Sequence, residues 1–281
     1  MSGNGTYGGV LKYWTGSSWQ ECPSTRFKYY KSGSWTVCAS SKFHIYKSGA
    51  WYDIRMSGPT PRTNLSGYWK LDETSGSAAD STANGNTLSV YNASENNSGK
   101  IGTCYGFNGT TSYITPTPDS SLFAYTNNIS ASYWFKTKVN LVDMITMCNW
   151  DWATGSGWIF YIGSDNAIAF EAHDPAQTPT NAQAQVYGIS SSDGNWHNVV
   201  GTFDGNYAKL YVDGTLQSTS TLWGHNIAYT SSNRFRIGAD NGNATNFNGY
   251  LDEIGVWNRA LTQADVTWLY NTGTGRTYPF K

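Results

Sequence analysis

The hydrophobic pattern of this chain consists of short alternating runs and contains almost no long helical periodicity. From residue 65 onward, segments rich in Tyr, Trp, Val and Ile alternate with clusters of Gly, Asn, Ser and Asp. Strand-like runs at such short, regular spacing are typical of an antiparallel β-sandwich. The runs include SGYWKLDE, SYITPTP, ISASYWFKTK, WIFYIGS, AIAFEAH, WHNVVGTFD, AKLYVDG, NRFRIGA and GYLDEIGVWN. The pattern therefore predicts an all-β protein.

One segment, residues 261–271 (LTQADVTWLYN), has a helical pattern. Thr262 and Asp265 have the spacing of a capping box, in which each side chain bonds the other's backbone N–H. Gly273 is expected to end the helix. Its apolar face would consist of Val266, Leu269 and Tyr270.

The first 57 residues contain a repeat of period 16, in units 10–25, 26–41 and 42–57. Each unit reads as strand, Gly/Ser turn and strand, which predicts a β-hairpin. An isolated hairpin is marginally stable in water, so we expect the missing core to come from other copies of the chain, most simply in a homotrimer. The aligned positions are Trp19, Trp35 and Trp51; Tyr13, Tyr29 and Ile45; and Cys22, Cys38 and Ile54.

These patterns divide the chain into an arm (1–9), three hairpin repeats for oligomerisation and attachment (10–57), a linker rich in proline (58–64) and a β domain (65–281). The opening residues lack the basic and apolar regions of a secretory signal, so we expect no secretion by that route.

Composition narrows the function. Only 13% of residues are charged, and the formal net charge is −1. A surface with so little positive charge argues against nucleic acid as a partner, and no apolar run reaches the ~20 residues that would span a bilayer. Four cysteines are too few for a disulfide scaffold and are most simply small buried hydrophobes. Stacked hairpins could nevertheless bring Cys22 and Cys38 close together.

From about Leu65 to Gly273, the chain resembles the LamG-like jelly rolls of the concanavalin A-like lectin/glucanase fold. The residues that carry this resemblance are GYWKLDETSG, AADSTANGN, CYGFNGTTSYI, the hairpin GNWHNVVGTFDGNYAKLYVDGTLQSTS and the closing GYLDEIGVWNRALTQADVTWLYNTG. The N-terminal units resemble short aromatic repeats in fibre and appendage proteins of tailed bacteriophages. The resemblance therefore implies an antiparallel β-sandwich jelly roll, and the sequence pattern predicts that a three-unit β-hairpin repeat precedes it.

The resemblance implies a structural Ca²⁺ between the opening loop, DSTANGN (80–86), and the closing strand. Carboxylate and amide oxygens are the ligands that calcium prefers. In the alternative interpretation, Asp80 and Asn84 form Asx-turns and bind nothing. The predicted ligands are Asp80, Asn84, Asn86, Asp252 and Glu253.

The densest candidate for ligand binding is the segment 148–160, CNWDWATGSGWIF. Sugars are commonly held by an aromatic platform together with a carboxylate or amide, and Trp150, Asp151, Trp152 and Trp158 supply that mixture. Alternatively, Trp150 and Trp158 are core aromatics of a hairpin. Loops 172–185 and 223–233 would share the rim of the site. The candidates that they add are His173, Asp174 and Trp223, with His225 a weaker one.

Catalysis is not expected. Glycoside hydrolysis needs two carboxylates at a defined separation, yet the chain has five glutamates, none within four residues of another. Asp252 and Glu253 are neighbours, so on a strand they would face opposite ways. A depolymerase would require Asp143, Asp151 and Asp174 to cluster around one groove. We interpret His197 as structural. The predicted core residues of its hairpin are Trp196, Val199, Leu210 and Val212.

Together these features predict a non-catalytic structural protein of a bacteriophage virion, a tail or head fibre or spike. It would be assembled in the host cytoplasm and exposed on the particle surface. The repeats would contact other virion proteins, while the lectin-like domain binds host-surface carbohydrate through several weak sites. The alternatives are a capsid or tail decoration protein without glycan binding, and a secreted bacterial adhesin or carbohydrate-binding module.

Overall fold

The computed structural model describes residues 61–280 apart from Ser190 and Asn243, together with the backbones of six strands within the first 60 residues. The chain divides into two units, Met1–Thr60 and Pro61–Lys281. In the described part of the chain, no helix is both long enough and apolar enough to cross a bilayer.

The N-terminal unit holds one antiparallel strand pair in each 16-residue repeat. Trp14 pairs with Trp19, Lys31 with Ser34, and Lys47 with Ala50 at the turn ends of these pairs. Cys22 and Cys38 lie outside the described residues, so their proximity stays a prediction, as does the trimer. The strands are β1 (Lys12–Trp14), β2 (Trp19–Glu21), β3 (Lys28–Lys31), β4 (Ser34–Val37), β5 (Lys42–Lys47) and β6 (Ala50–Arg55).

The C-terminal unit is built of strands followed by one α-helix, as the sequence predicts. The helix is α1 (Gln263–Tyr270), which a short 3₁₀ turn, Asn271–Gly273, extends. The strands are β7 (Leu65–Trp69), β8 (Ser89–Tyr91), β9 (Ser94–Ser98), β10 (Thr103–Asn108), β11 (Tyr113–Thr115), β12 (Ile129–Lys136), β13 (Met144–Asp151), β14 (Ser156–Ile162), β15 (Ile168–His173), β16 (Asn181–Val186), β17 (His197–Phe203), β18 (Ala208–Val212), β19 (Thr215–Thr219), β20 (Arg234–Ile237) and β21 (Asn248–Trp257).

These strands form two antiparallel sheets. The larger sheet has the order β19-β18-β17-β12-β21-β10-β9, with β7 pairing on β21 as its eighth strand. The smaller sheet has the order β16-β15-β14-β13-β20-β11-β8. Many neighbours in both sheets are distant in sequence, which is the arrangement of a jelly roll. The predicted antiparallel sandwich is confirmed.

The main core lies between the two sheets and is dominated by aromatic rings. Phe160 and Phe170 of the smaller sheet have ring centroids 4.5 Å apart, and Tyr133 of β12 meets Phe160 edge to face at 5.5 Å. Gly201 of β17 makes this packing possible, because a Cβ there would lie 2.4 Å from the Phe160 ring. The large apolar area removed from water is the main stabilising contribution to this fold.

A second apolar cluster covers the outer face of the larger sheet, where α1 packs. Val266 and Leu269 of the helix lie against Trp257. The predicted capping box is present, with the Thr262 and Asp265 side chains each bonding the other's backbone. The helix ends at Tyr270 because Asn271 takes the left-handed conformation (φ 49°), two residues before the glycine that the sequence predicts as its end.

The β17–β18 hairpin confirms three of its four predicted core residues: Val199 and Leu210 are fully buried, and Val212 is 1% exposed. Trp196 precedes β17 and is only half-buried, so its prediction as a core residue is wrong. His197 is structural, as predicted, because its Nδ1 lies 2.8 Å from the Asp213 carboxylate in the hairpin turn.

Candidate functional site

The tip of the β13–β14 hairpin carries the exposed aromatic residue of the predicted binding segment. Asp151 pairs with Ser156, so residues 152–155 form the turn. Trp150 pairs with Gly157, and Gly157 pairs with His173 on β15. Because Gly157 has no side chain, the Trp150 and His173 rings meet across it, edge to face, at 5.2 Å. Trp150 also contacts Trp152 at 5.9 Å and thereby supports it from below.

Asp151 holds this turn in place. Its Oδ1 accepts a hydrogen bond from the Ala153 N–H at 3.0 Å, and its Oδ2 accepts from the hydroxyls of Thr154 at 2.8 Å and Thr230 at 2.7 Å. Burial disfavours the charged form, but these hydrogen bonds outweigh it and hold the pKa of Asp151 below its ordinary value. Asp151 as a whole is only 3% exposed, so it orders the hairpin tip and offers little surface to a ligand.

Trp152 is the exposed member of the predicted set, with 52% of its surface accessible. It stands at the rim of a cleft of about 560 Å³, which we call the Trp152 cleft. One wall is the hairpin turn, residues 151–153, and the other is the loop at 240–242 and 244–245. This volume lies within the usual range for small-molecule sites, ~300–1,000 Å³. An open indole beside a cleft is suited to an apolar face such as that of a sugar ring.

The sequence predictions missed the second wall of the cleft. Asp240 fixes it: its Oδ1 accepts from the Ala244 N–H at 2.9 Å, and its backbone oxygen accepts from Arg236 at 3.1 Å. The segment follows β20 and packs beside β13, where Ile145 bridges Asn246. Its only sequence signal is a run of Gly and Asn, which marks a loop but not the loop's neighbours.

The other predicted carbohydrate contacts do not reach the cleft. Trp158 is fully buried in the main core, which is the alternative interpretation of this residue. Trp223 is 5% exposed in the same core, and its indole N–H donates to the Pro179 oxygen at 2.8 Å. Asp174 accepts hydrogen bonds within its own loop, from the Ala176 N–H and the Gln177 amide. His173 lies behind Trp150 and supports the hairpin tip.

The aspartates of the depolymerase alternative do not cluster. Asp143 precedes the first residue of β13 and bonds the Ser164 N–H at 2.6 Å, whereas Asp151 is the last residue of that strand. Eight residues of extended strand separate them by ~26 Å. Two carboxylates at that distance cannot act on one glycosidic bond, for which the largest usual separation is about 9.5 Å.

The predicted calcium ligands of the opening loop bind N–H groups and backbone carbonyls instead. Asp80 Oδ1 accepts from Tyr68 N at 3.1 Å and Thr82 N at 2.9 Å, while its Oδ2 accepts from Asn86 N at 2.8 Å. The bond to Thr82 is an Asx-turn, as in the alternative interpretation. The amide of Asn84 donates to backbone oxygens of β7, and that of Asn86 does the same.

Asp252 and Glu253 are both buried on β21 and have different neighbours. Asp252 Oδ2 accepts from Lys100 N at 2.7 Å and Ile101 N at 3.0 Å. Glu253 accepts a hydrogen bond from the Tyr68 hydroxyl. Burial raises the pKa of Asp252 to about 8 and that of Glu253 to about 7. Each carboxylate retains one buried oxygen that has no partner within the described residues.

The five predicted calcium ligands therefore occupy separate places, and as placed they do not fit one shared ion. The oxygens of Asp80 already accept N–H groups, which a cation would have to displace. Among residues 61–280 with the two omissions given above, no three His, Cys, Asp or Glu side chains are grouped for metal binding. Calcium stays a prediction from the resemblance.

Comparison with known proteins supports the fold. A family model described as the concanavalin A-like lectin/glucanases superfamily matches residues 108–267. A solved structure, domain 4 of AbnA, a GH43 extracellular arabinanase from Geobacillus stearothermophilus, in complex with arabinotriose, matches with a TM-score of 0.55 at 20% identity. That match covers 76% of this chain and 98% of the domain. Among curated proteins, none matches the sequence.

Toxin binding domains share the same fold. The binding domain of botulinum neurotoxin DC, in complex with SialylT, has a TM-score of 0.57 at 13% identity, covering 75% of this chain and 52% of that one. The serotype D ligand binding domain, in complex with N-acetylneuraminic acid, has a TM-score of 0.57 at 15% identity, with 74% and 50% covered. This chain thus spans about half the length of the toxin domains. At such identities the likeness shows the fold alone.

Proposed function

The chain belongs to the concanavalin A-like lectin/glucanases superfamily, and from this premise we propose that it binds carbohydrate without catalysis, through the Trp152 cleft. The observation that carries the proposal is the half-exposed indole of Trp152 at the rim of a cleft of about 560 Å³. Neighbours of the same fold were solved with arabinotriose and with N-acetylneuraminic acid, which favours a glycan as the ligand.

The cleft is suited to binding by stacking. Trp150 and the hydrogen bonds of Asp151 hold the hairpin tip before any ligand arrives, so binding costs little conformational entropy. The walls present both an aromatic ring and the loop residues 240–242 and 244–245, which include polar side chains. A ring of this kind contacts the apolar C–H face of a sugar, while polar groups select its hydroxyls.

We further propose that the protein belongs to a bacteriophage virion, as part of a tail or head fibre or spike on the particle surface. The support is the three-unit repeat, whose strand pairs are too small to bury an apolar face alone. Copies of the chain in a homotrimer would supply that core and attach to other virion proteins. Several weak glycan sites in one oligomer would then give avidity.

The experiment is a glycan array with the full-length protein, its mass determined by light scattering. The array compares the wild type with Trp152→Ala and, as a matched control, Tyr187→Ala, which removes a ring 63% exposed that does not line the cleft. Covering about half of the exposed indole surface is worth roughly 1–1.5 kcal/mol. We therefore expect Trp152→Ala to weaken binding about tenfold and Tyr187→Ala to leave it unchanged.

Equal loss of binding in both variants would contradict the assignment to this cleft. Oligomers without any glycan signal would instead favour the decoration role, and a monomer would contradict the trimer. Repeating the array with EGTA tests the calcium prediction. We expect binding to persist, because the five predicted ligands do not converge.

A further inference from the structure

A second ligand-sized depression lies where the opening loop, residues 80–86, meets the start of β7 and the end of β21. We call it the asparagine pocket; its volume is about 360 Å³. Its lining carries no charged side chain and is unusually rich in amides. The polar side chains that line it are Asn64, Ser66, Asn84, Asn86, Tyr125 and Asn258.

The amides of the pocket are fixed in orientation by the backbone. Asn84 Nδ2 donates to the carbonyl oxygens of Leu65 at 3.1 Å and Ser66 at 3.0 Å, and Asn86 Nδ2 donates to Ser66 at 2.7 Å. Asn64 Nδ2 donates to the Asn258 carbonyl at 3.3 Å. Since a carbonyl oxygen can only accept, the nitrogen of each amide must face the backbone. The orientation of all three amides is therefore unambiguous.

This arrangement leaves a set of open acceptors. Within the described residues, the Oδ1 atoms of Asn64, Asn84 and Asn86 accept no hydrogen bond. The side chain of Asn258 makes no hydrogen bond to any of those residues either, so both its oxygen and its nitrogen are free for a ligand. The three acceptors that the backbone fixes, on Asn64, Asn84 and Asn86, cost little entropy when they bind, and they select ligands that donate several hydrogen bonds.

From this geometry we propose that the asparagine pocket is a second sugar-binding site, specific for a neutral residue rich in hydroxyl groups. Hydroxyls donate to the amide oxygens, and the half-buried ring of Tyr125 contacts the apolar face of the sugar. An anionic sugar is disfavoured, because acceptor oxygens repel a carboxylate. The proposal rests on the proposed function in one respect, namely that the ligand is a glycan.

The pocket is physically connected to the Trp152 cleft. The Tyr125 hydroxyl bonds Ser66 Oγ at 2.8 Å, and the Tyr125 carbonyl accepts from the Tyr229 hydroxyl at 3.0 Å. The next residue, Thr230, bonds the Asp151 carboxylate that orders the Trp152 turn. One segment, residues 229–230, thus contributes a hydrogen bond to the support of each site.

The test follows asparagine side-chain amide signals by NMR during titration of the full-length protein. The probes are the methyl glycosides of glucose, galactose, mannose and arabinose, with N-acetylneuraminic acid as the anionic comparison and CaCl₂ alone as the cation comparison. Asn258→Ala removes a side chain that makes no internal bond, so folding is expected to persist. Asn127→Ala removes an exposed asparagine outside the pocket and is the matched control.

We expect at least one neutral glycoside to shift the NMR signals of the pocket's asparagine amides. The same shifts should occur in the Trp152→Ala variant. Asn258→Ala should weaken that binding about three- to tenfold, the usual effect of one hydrogen bond, and Asn127→Ala should not change it. Shifts confined to the Trp152 cleft would overturn this proposal and leave the proposed function intact. Shifts produced by CaCl₂ but by no sugar would overturn it as well. If no sugar shifted signals at either site, the result would contradict the proposed function itself.

Discussion

Asp252 gives the stability of the β domain a strong and testable pH dependence. Its side chain is fully inaccessible, and burial raises its pKa from 3.8 to about 8. The folded state therefore binds this proton more tightly than the unfolded chain does. The resulting stabilisation is fully present below about pH 4, and it is lost as the pH rises through about 8.

The magnitude follows from the two pKa values. Between pH 5 and pH 9 the unfolded carboxyl is ionised throughout, whereas the folded one keeps its proton until about pH 8. The folded state thus holds about one extra proton over three pH units. At ~1.36 kcal/mol per unit, the free energy of unfolding should fall by about 4 kcal/mol across this range because of Asp252.

The assay is urea unfolding at pH 5, 7 and 9 for the wild type and Asp252→Asn. An amide oxygen at position 252 can still accept from the N–H groups of Lys100 and Ile101. The variant should therefore lack this fall in the free energy of unfolding, so that its stability relative to the wild type rises by about 4 kcal/mol from pH 5 to pH 9. Asp143→Asn, at an exposed carboxylate, is the control and should follow the wild type. Parallel pH profiles for the wild type and Asp252→Asn would refute the reasoning.

Three further predictions concern the same domain. Gly157→Ala should destabilise it by more than about 3 kcal/mol in urea unfolding, because a Cβ there would lie 1.9 Å from a backbone oxygen. Gly188→Ala, at a φ of 77° with no atom within 4 Å of the added Cβ, should cost only about 1 kcal/mol, and equal losses would contradict this. Cys104 and Cys148 should resist alkylation until the protein unfolds, since burial raises the pKa of each to about 12; peptide mass spectrometry would detect early labelling. Hydrogen bonds to two aspartates raise the pKa of His197 above 6.5, so its stabilisation is present below about pH 6.5 and lost as the pH rises through the raised value. An NMR titration of the His197 ring checks this, and a midpoint at or below pH 6.5 would show the prediction to be wrong.

Local pattern was sufficient for most of the fold. The alternating runs identified strands such as the one within ISASYWFKTK. Successive side chains of a strand point to opposite faces, and this period of two depends only on local backbone geometry. The capping box at Thr262 and Asp265 was equally local, since both partners lie within one helical turn. Trp196 was predicted wrongly because the run WHNVVGTFD begins one residue before β17, which starts at His197.

The candidate site was only partly predictable. The segment around Trp152 stood out by its concentration of aromatics, but the sequence could not say which indole stays exposed. Trp158 is six residues away and fully buried, because it faces the other sheet across the sandwich. The wall at 240–242 and 244–245 and the asparagine pocket carried no specific sequence signal, since each is made mainly of ordinary loop residues.

The sequence by itself determined the all-β class, the repeat, the single helix and the family resemblance, because these depend on spacing between residues close in the chain. Tertiary structure decided which polar groups meet. It placed Asp143 and Asp151 at opposite ends of β13, and it brought Asn64, Asn84 and Asn258 to one pocket. Such meetings depend on the order in which distant strands pair, and no local pattern of side chains encodes that order.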